Sequence, residues 1–249
     1  MLMKRVIKLA IYECKYRIGF TDVGGSNKLT NKAILKVLEN AGGMQSEDVG
    51  YGLNQIEETS LSWVLLAWKV QVLSRPLYNE ELLIKTWARD TTKVSTYRDY
   101  EIYDSNNKLV AIATSKWTLI NIRTKSLEKI TEELISKYNP ETKSVFENNV
   151  LDKLKEPEQY DSKSEYKITR SEIDINDHVH NLYYLDFAYE ALPEDVYRGE
   201  ECNNIEIMYK KQIKLGDEII CLYSKNENKN IVSVKSKDEK VLHAIINLY

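Results

Sequence analysis

The chain has little of what defines several other protein classes. Its three cysteines, Cys14, Cys202 and Cys221, are an odd number without metal-ligand spacing, which favours reduced thiols in the cytoplasm over a disulfide framework or a metal site. It contains no run of about 18 apolar residues, so a membrane-spanning helix is not expected. The formal net charge is only -3, which argues against nucleic-acid binding by overall electrostatics.

The beginning of the chain also lacks the marks of a secretory signal. The apolar part of Met1–Tyr12 is short and is followed by no convincing cleavage site, so this stretch is expected to lead into a first strand. What the chain does contain is a 43% hydrophobic fraction and 17 tyrosines. This composition supports a buried core with broad sheet surfaces.

The order of predicted elements occurs twice. In the first half a strand near Tyr12 precedes a helix at Asn31–Ala41, whose apolar residues recur at helical spacing and which Gly42-Gly43 is expected to end. The strands predicted after it are Thr59–Ser74, Glu80–Arg89, Val94–Asp104 and Lys108–Asn121. The stretch 42–52 is interpreted as a surface loop or part of a pocket rim.

The second half repeats this order with shorter elements. A strand at Tyr166–Ile173 leads to a helix at Leu182–Leu192, which Pro193 closes. The later strands are predicted at Asn204–Ile213, Glu218–Tyr223, Asn230–Lys235 and Lys240–Leu248. The sequence therefore predicts an α+β protein of two units, each a helix wrapped by an antiparallel sheet.

The boundaries follow from composition. The N-terminal unit is predicted at 1–127, and the C-terminal unit at 161–249. The charged stretch 128–160, which contains Pro140 and Pro157 and a short helical candidate at Glu132–Tyr138, is predicted to link them.

One polar cluster separates the two repeats. Asp174, Asn176 and His178 alternate along a segment expected to be extended, which would project all three side chains to one side just before a helix start. Aligning Asn31 with Asn181 places Gly24, Ser26 and Lys28 opposite these three residues. The second repeat is therefore expected to carry acyl-transfer chemistry, and the first to shape the pocket.

The motif Asp174-x-Asn176-x-His178-Val-x-Asn181-x-x-Tyr184 resembles that of the hot-dog fold thioesterases. More specifically, the chain resembles the acyl-acyl-carrier-protein (acyl-ACP) thioesterases of plants and bacteria over nearly its whole length. The resemblance implies two tandem hot-dog domains and hydrolysis of fatty acyl thioesters carried on acyl carrier protein (ACP), with no cofactor. In plant members the segment matching 209–213 carries a Glu and a Cys proposed as catalytic, whereas this chain has Gln212 and Ile213, which excludes a cysteine mechanism there.

The resemblance suggests a role for each residue. Asp174 would activate water as a general base or act as a nucleophile, and these alternatives stay open. His178 would orient groups or relay protons, and Asn176 would fix the water or the thioester. Gln212 would hold water or the carbonyl by hydrogen bonds, and helix-entry N–H groups near Val179 to Asn181 would polarise the carbonyl.

Several residues outside the Asp174-Asn176-His178 cluster also have an expected role. His180 is interpreted as structural or surface-exposed, Asn181 as structural, and Glu190 as solvated with a minor chance of being a base. The tryptophans Trp63, Trp68, Trp87 and Trp117 are expected in the sheet core, where at least one could line an acyl tunnel. The basic clusters considered as docking sites for the carrier are Lys210, Lys211 and Lys214, or Arg123, Lys125 and Lys129. The alternative functions are hydrolysis of acyl-coenzyme A and non-catalytic binding of acyl chains. A homodimer is considered as a further partner arrangement.

Overall fold

The computed structural model describes residues 10–148, 150–199 and 201–249. The beginning of the chain, predicted to lead into the first strand, lies largely outside these ranges. The strands are β1 Tyr12–Arg17, β2 Leu61–Val72, β3 Glu81–Thr91, β4 Ser95–Tyr103, β5 Leu109–Asn121, β6 Ser126–Leu127, β7 Ser162–Lys167, β8 Asn204–Tyr209, β9 Glu218–Asn226, β10 Lys229–Ser236 and β11 Leu242–Leu248. The α-helices are α1 Asn31–Val49, α2 Ile56–Thr59, α3 Glu132–Ser136, α4 Tyr183–Ala191 and α5 Glu194–Gly199.

All the strands join one antiparallel sheet. Its order is β1-β3-β4-β5-β2-β8-β11-β10-β9-β7, and β6 pairs with β5 at the side. The two halves meet where β2 pairs with β8, with Trp68 opposite Ile207 and Val70 opposite Ile205. Because the order of strands reads the same outward from this seam in both halves, the sheet confirms the repeat predicted from the sequence.

Helix α1 continues beyond its predicted end. Gly42 and Gly43 lie inside it, and the helix ends at Gly50, whose φ of 86° provides the left-handed cap. The prediction of a stop at Gly42-Gly43 is therefore wrong, and most of the stretch 42–52, interpreted as a surface loop or part of a pocket rim, is helical. The reason is tertiary: Gln45 and Val49 are buried on the same helix, and their packing outweighs the low helix propensity of two glycines.

Helix α4 is the counterpart of α1 and has nine residues. Its predicted range differs from the observed one by a single residue at each end, and the chain leaves the helix at Leu192, just before Pro193. Leu185 and Ala188 are fully buried against the sheet.

The two halves share a local turn at an interval of 150 residues. Val23 bridges Leu29 in the first half, and Ile173 bridges Val179 in the second. Asn27 and Asp177 each adopt a φ of 60° at the same place in these turns. This agreement confirms the ungapped alignment of Asn31 with Asn181.

Two strands of the second half are shorter than predicted. β7 ends at Lys167, and a 3-10 helix at Arg170–Glu172 follows it where strand was predicted. β8 ends at Tyr209, because the N–H groups of Lys210 and Lys211 both turn to the carbonyl of His243. Gln212 therefore lies in a loop and not on the predicted strand.

The charged stretch between the halves packs first beside the end of α1 and then against the sheet. Its first part belongs to the N-terminal half, since Ile130, Leu134 and Tyr138 are buried with Val49 and Leu119. Farther along, the N–H of Val145 donates to Asp99. Within the described ranges, no helix is long and apolar enough to cross a bilayer.

Candidate functional site

The motif residues Asp174 to His178 form a tight turn. The Asp174 Oδ1 atom accepts hydrogen bonds from the backbone N–H of Asn176 at 2.8 Å and of His178 at 3.3 Å. The backbone N–H of Asp174 donates to the carbonyl of His178 at 2.8 Å. The prediction of an extended segment here is wrong. An aspartate side chain can accept hydrogen bonds from nearby backbone N–H groups in place of a backbone carbonyl, and so it closes a turn.

This turn brings two of the predicted residues together. The Asn176 Nδ2 atom lies 3.4 Å from Asp174 Oδ2, and Asn176 also lines a cavity. His178 belongs to the same turn, where its backbone bridges Lys214. Asp174 therefore fixes the direction in which the chain presents Asn176.

This cavity belongs mostly to the N-terminal half. Its volume is about 240 Å³, and it is open to solvent on one side. The residues that shape it include Gly43, Ser46, Trp63, Trp117 and Tyr138, together with Asn176 from the other half. Two of the four tryptophans thus line a cavity, and the stretch 42–52 contributes to its rim.

The inner wall of the cavity carries a chain of hydrogen bonds. Trp63 Nε1 donates to the Tyr138 hydroxyl at 3.0 Å, and that hydroxyl donates to Ser46 Oγ at 3.1 Å. The Arg98 guanidinium donates to Gln45 and lies 5.5 Å from the centre of the Tyr138 ring. Because these polar groups form hydrogen bonds with one another, the wall is polar but its hydrogen-bonding capacity is largely used within the protein.

Glu39 is a cavity residue that sequence reasoning missed. It lies on α1, and its Oε1 is 3.6 Å from His180 Nε2 in the C-terminal half. Its Oε2 is buried and has no hydrogen-bond partner among the residues that the structure describes. Burial raises the pKa of the Glu39 carboxyl above its ordinary value; nearby His180 lowers it, and Asp174 raises it.

A sequence signal for Glu39 existed. Glu39, Gly43 and Ser46 follow one another at helical spacing, so a carboxylate and two small residues share one stripe of α1. Because glycine and serine are small, this face of the helix leaves space beside the Glu39 carboxylate. The interpretation of Gly42-Gly43 as a helix stop concealed that pattern.

Gln212 lies apart from this cavity. It is exposed and lines a separate depression of about 320 Å³ with Lys211, Lys214 and His243. Glu190 is exposed on α4, as its interpretation as a solvated residue predicted.

Two of the backbone N–H groups predicted to polarise the substrate carbonyl already donate hydrogen bonds within the protein. The N–H of Val179 donates to Ile213 and that of His180 donates to Glu172, both at 2.9 Å. The prediction that these two groups polarise a substrate carbonyl is therefore wrong, because they hold the turn against its neighbours.

Comparison with known proteins decides the family. The family model described as the acyl-ACP thioesterase N-terminal domain matches residues 10–138, and that of the C-terminal domain matches 155–247. The chain belongs to the acyl-ACP thioesterase family. The resemblance found in the sequence is confirmed.

The curated relatives are plant proteins. The chain is 26% identical to the chloroplastic oleoyl-acyl carrier protein thioesterase of Coriandrum sativum over 230 residues, which are 86% of this chain and 62% of that protein. It is also 26% identical to the chloroplastic oleoyl-acyl carrier protein thioesterase 2 of Arabidopsis thaliana, covering 89% of this chain and 65% of the relative. The chain thus spans slightly less than two thirds of these relatives.

Solved structures agree on the fold. An acyl-ACP thioesterase from Bacteroides thetaiotaomicron has a TM-score of 0.84 at 22% identity, covering 96% of this chain and 97% of that one. The 12:0-ACP thioesterase from Umbellularia californica has a TM-score of 0.83 at 17% identity, covering 96% of each chain. The predicted α+β class with two tandem hot-dog units is confirmed.

Proposed function

We propose that this chain hydrolyses fatty acyl thioesters carried on acyl carrier protein, releasing a free fatty acid and the carrier thiol. The observation that carries the proposal is the contact between the two halves at one opening. The cavity lies in the N-terminal half, and Asn176 of the C-terminal motif stands on its wall. A thioester at this opening would have its acyl chain inside and its reactive carbonyl beside the motif.

This arrangement suggests a different role for each half of the chain. The N-terminal half would hold the acyl chain, and the C-terminal half would supply Asp174, Asn176 and His178. In this proposal Asn176 contacts the thioester or the attacking water, and Asp174 positions it. Gln212 stays a prediction, supported by its place in the family motif and not by proximity to the cavity.

The domain boundaries are part of the proposal. Because Leu134 and Tyr138 are buried against the N-terminal half, we assign 128–138 to that half and the crossing segment to 139–154. The ranges of the two family matches, 10–138 and 155–247, support this division.

The proposed setting is the cytoplasm. The chain has three cysteines, an odd number, which suits a reducing compartment, whereas the plant relatives named above are chloroplastic. A homodimer is not needed to complete the site, because β2 and β8 already join two hot-dog units within the chain.

The direct test is a hydrolysis assay on purified protein. The substrates are a series of acyl-ACP thioesters of increasing chain length, with the matching acyl-coenzyme A thioesters beside them. We expect turnover of at least one acyl-ACP with a kcat/KM well above that for the same acyl group on coenzyme A. Equal values for the two carriers would remove the carrier specificity, and stoichiometric acyl binding without turnover would contradict the proposed activity.

A further inference from the structure

The cavity beside Asn176 follows one face of helix α1, which gives it a depth. Glu39 lies at the motif end of this face, where its Oε1 is 3.6 Å from His180 of the C-terminal half. Ser46 lies at the other end, where it accepts a hydrogen bond from the Tyr138 hydroxyl at 3.1 Å. Ser46 is seven residues after Glu39, which corresponds to about 10 Å along the axis of an α-helix.

An aromatic pair closes the inner end of the cavity. Tyr138 is 2% exposed, and its ring meets that of Trp63 edge to face at a centroid distance of 6.1 Å. Trp63 Nε1 donates to the Tyr138 hydroxyl, which donates to Ser46. Because both hydrogen bonds would be lost if the Tyr138 ring moved aside, an alkyl chain that reaches this ring meets a fixed floor.

The space behind this floor is already filled by side chains. Tyr138 packs there in a small hydrophobic core whose other buried members include Val49, Leu119, Ile130 and Leu134. A longer acyl chain would have to displace these side chains, and forcing extra methylenes into a packed core is destabilising. The floor therefore limits the length of the acyl chain.

The volume and the depth of the cavity indicate the same number of carbons. The volume is about 240 Å³. A methylene group is similar in size to a water molecule, which occupies about 30 Å³ in the liquid, so this volume accommodates about eight carbons. A zigzag of carbon–carbon bonds of about 1.5 Å advances roughly 1.3 Å per bond, so a depth of about 10 Å also corresponds to about eight bonds.

We infer that the preferred acyl groups of this chain are of medium length, about eight to ten carbons, and that Trp63 and Tyr138 set this limit. The inference rests on the proposed function, which places the acyl chain in this cavity. The thioester carbonyl and the carbon next to it would lie at the opening beside Asn176, which extends the limit from about eight carbons to about ten. Trp63 and Tyr138 are then the residues that determine chain-length specificity.

The length of the acyl chain should affect turnover in two stages. Up to the limit, each methylene buried in the cavity should raise kcat/KM about fourfold, because its burial stabilises the transition state relative to the free substrate. Beyond about ten carbons an added methylene finds no further apolar surface, so kcat/KM should stop rising and then fall. We expect a maximum at about C8–C10 and a value at C16 that is lower by about tenfold or more.

The first test measures kcat/KM on purified protein for saturated acyl-ACP substrates from C6 to C18. Tyr138→Ala removes the floor and opens the cavity toward the small core behind it. The maximum should therefore move to chains about two to four carbons longer, since the surrounding side chains relax only partly into the space. Tyr138→Phe keeps the ring and removes only the hydroxyl, so the maximum should stay at the wild-type length.

A second variant fills the cavity and leaves the floor in place. Ser46 is half-buried on α1 and lines the inner end of the cavity. The larger side chain of Ser46→Leu would occupy part of the volume there, so the maximum should move to chains about two to three carbons shorter. Ser136→Leu introduces the same side chain at an exposed position of α3. It is the matched control and should leave the dependence on chain length unchanged.

A binding measurement separates this inference from the proposed activity. Alkyl thioether analogues of acyl-ACP cannot be hydrolysed, so their Kd values report the fit of the alkyl chain without turnover. The tightest binding to the wild type should occur at about C8–C10. Tyr138→Ala should move it to longer chains, and Ser46→Leu should move it to shorter ones.

The possible outcomes are distinct. Wild-type turnover that is highest at C16 or C18, or equal from C8 to C18, overturns the inference and leaves the proposed function intact. If Tyr138→Ala does not fold, Ser46→Leu decides, and an unchanged maximum in that variant contradicts the inference. Absence of wild-type turnover on every acyl-ACP and acyl-coenzyme A overturns the proposed function. The Kd values then decide the inference, and tightest binding at C16 or C18 contradicts it.

Discussion

Asn176 shows how one residue can connect two halves of a molecule. It belongs to the C-terminal motif but lines a cavity built from α1, β2 and other N-terminal elements. Its direction is set by Asp174, which closes the turn around it. An amide in this position can donate to a carbonyl or hold a water without changing its charge.

At this residue scale, Asn176→Ala should lower kcat/KM by about 10²–10³, the effect of removing one polarising hydrogen-bond donor. The measurement is steady-state hydrolysis of the preferred acyl-ACP, with circular dichroism to verify the fold. Asn148→Ala, which removes the same side chain from an exposed position in the crossing segment, is the control. A similar loss in both variants would show that the effect is not local to the cavity.

At the scale of elements, α1 illustrates two different uses of adjacent glycines. A Cβ on Gly42 would lie 3.1 Å from the Tyr100 hydroxyl and 3.2 Å from Arg98 Cδ. A Cβ on Gly43 would meet nothing within 4 Å. Gly42 therefore allows the helix to approach β4, while Gly43 leaves space in the cavity.

This difference predicts opposite effects on stability. Gly43→Ala should raise the free energy of unfolding by about 0.5–1 kcal/mol, because it removes the backbone entropy of glycine in a helix without a clash. Gly42→Ala should lower the free energy of unfolding, because Tyr100 and Arg98 must move. Denaturant unfolding of both variants checks the prediction, and stabilisation by Gly42→Ala would contradict the packing described.

A larger residue at Gly43 also tests the acyl pocket. Gly43→Leu places a side chain in the cavity volume, so the preferred acyl chain should become shorter while turnover of short chains is retained. The readout is the dependence of kcat/KM on chain length. An unchanged dependence would show that the acyl chain does not occupy this cavity.

A second element-scale feature is the carboxylate that secures each repeated turn. Glu172 accepts hydrogen bonds from the Tyr166 hydroxyl and from the backbone N–H of Thr169, and Asp22 has the same partners in Tyr16 and Gly19. Burial acts to raise the pKa of Glu172, but these hydrogen bonds hold it below its ordinary value.

Glu172→Gln should therefore destabilise the fold by about 1–2 kcal/mol at pH 7, since a hydrogen-bonded charge is lost. A lowered pKa in the folded state gives stability that is fully present above the unfolded-state pKa of about 4.3 and is lost as the pH falls through the folded-state value. The difference between wild type and Glu172→Gln should accordingly shrink below about pH 4. Unfolding curves at pH 7 and at lower pH provide the test, and a difference that grows on acidification would contradict it.

At the scale of the whole molecule, the proposed function requires a surface that would meet the acyl carrier. The Arg123 guanidinium donates to the carbonyl of Glu57, beside Ile56, which lines the cavity. Arg123 and Lys125 are both exposed in the turn after β5. This places one of the two basic clusters next to the proposed entrance.

Charge reversal at Arg123 and Lys125 should lower kcat/KM for acyl-ACP by roughly tenfold at low salt, because electrostatic steering raises association rates by 10-fold or more. The effect should diminish as salt is added. Lys108→Glu is the control, since Lys108 is exposed at the opposite end of β5, roughly 40 Å away by the rise per residue. An equal loss from Lys108→Glu would exclude local docking at Arg123 and Lys125.

Much of the architecture followed from local pattern. Alternation and helical spacing located β2 to β5 and α4 within a few residues, and the shared order of elements predicted two tandem units. The motif also marked a segment that the structure places at the cavity. These features depend on interactions between residues near one another in the chain, so their spacing is visible in the sequence.

Other features depended on residues far apart in the chain, or on side-chain hydrogen bonds that the spacing of apolar residues does not show. Gly42-Gly43 stayed helical because of packing at β4, and Asp174 to His178 formed a turn because a side chain satisfied the backbone. The position of Glu39 opposite His180 follows from the docking of two halves through β2 and β8.

The amino-acid order by itself determined the repeat, the family and the residues of the motif. Only the tertiary structure decided that the cavity lies in the half without that motif, and that a carboxylate from that half faces it. The physical reason is that burial and proximity across about 140 residues arise from packing of complementary surfaces, which no local period encodes.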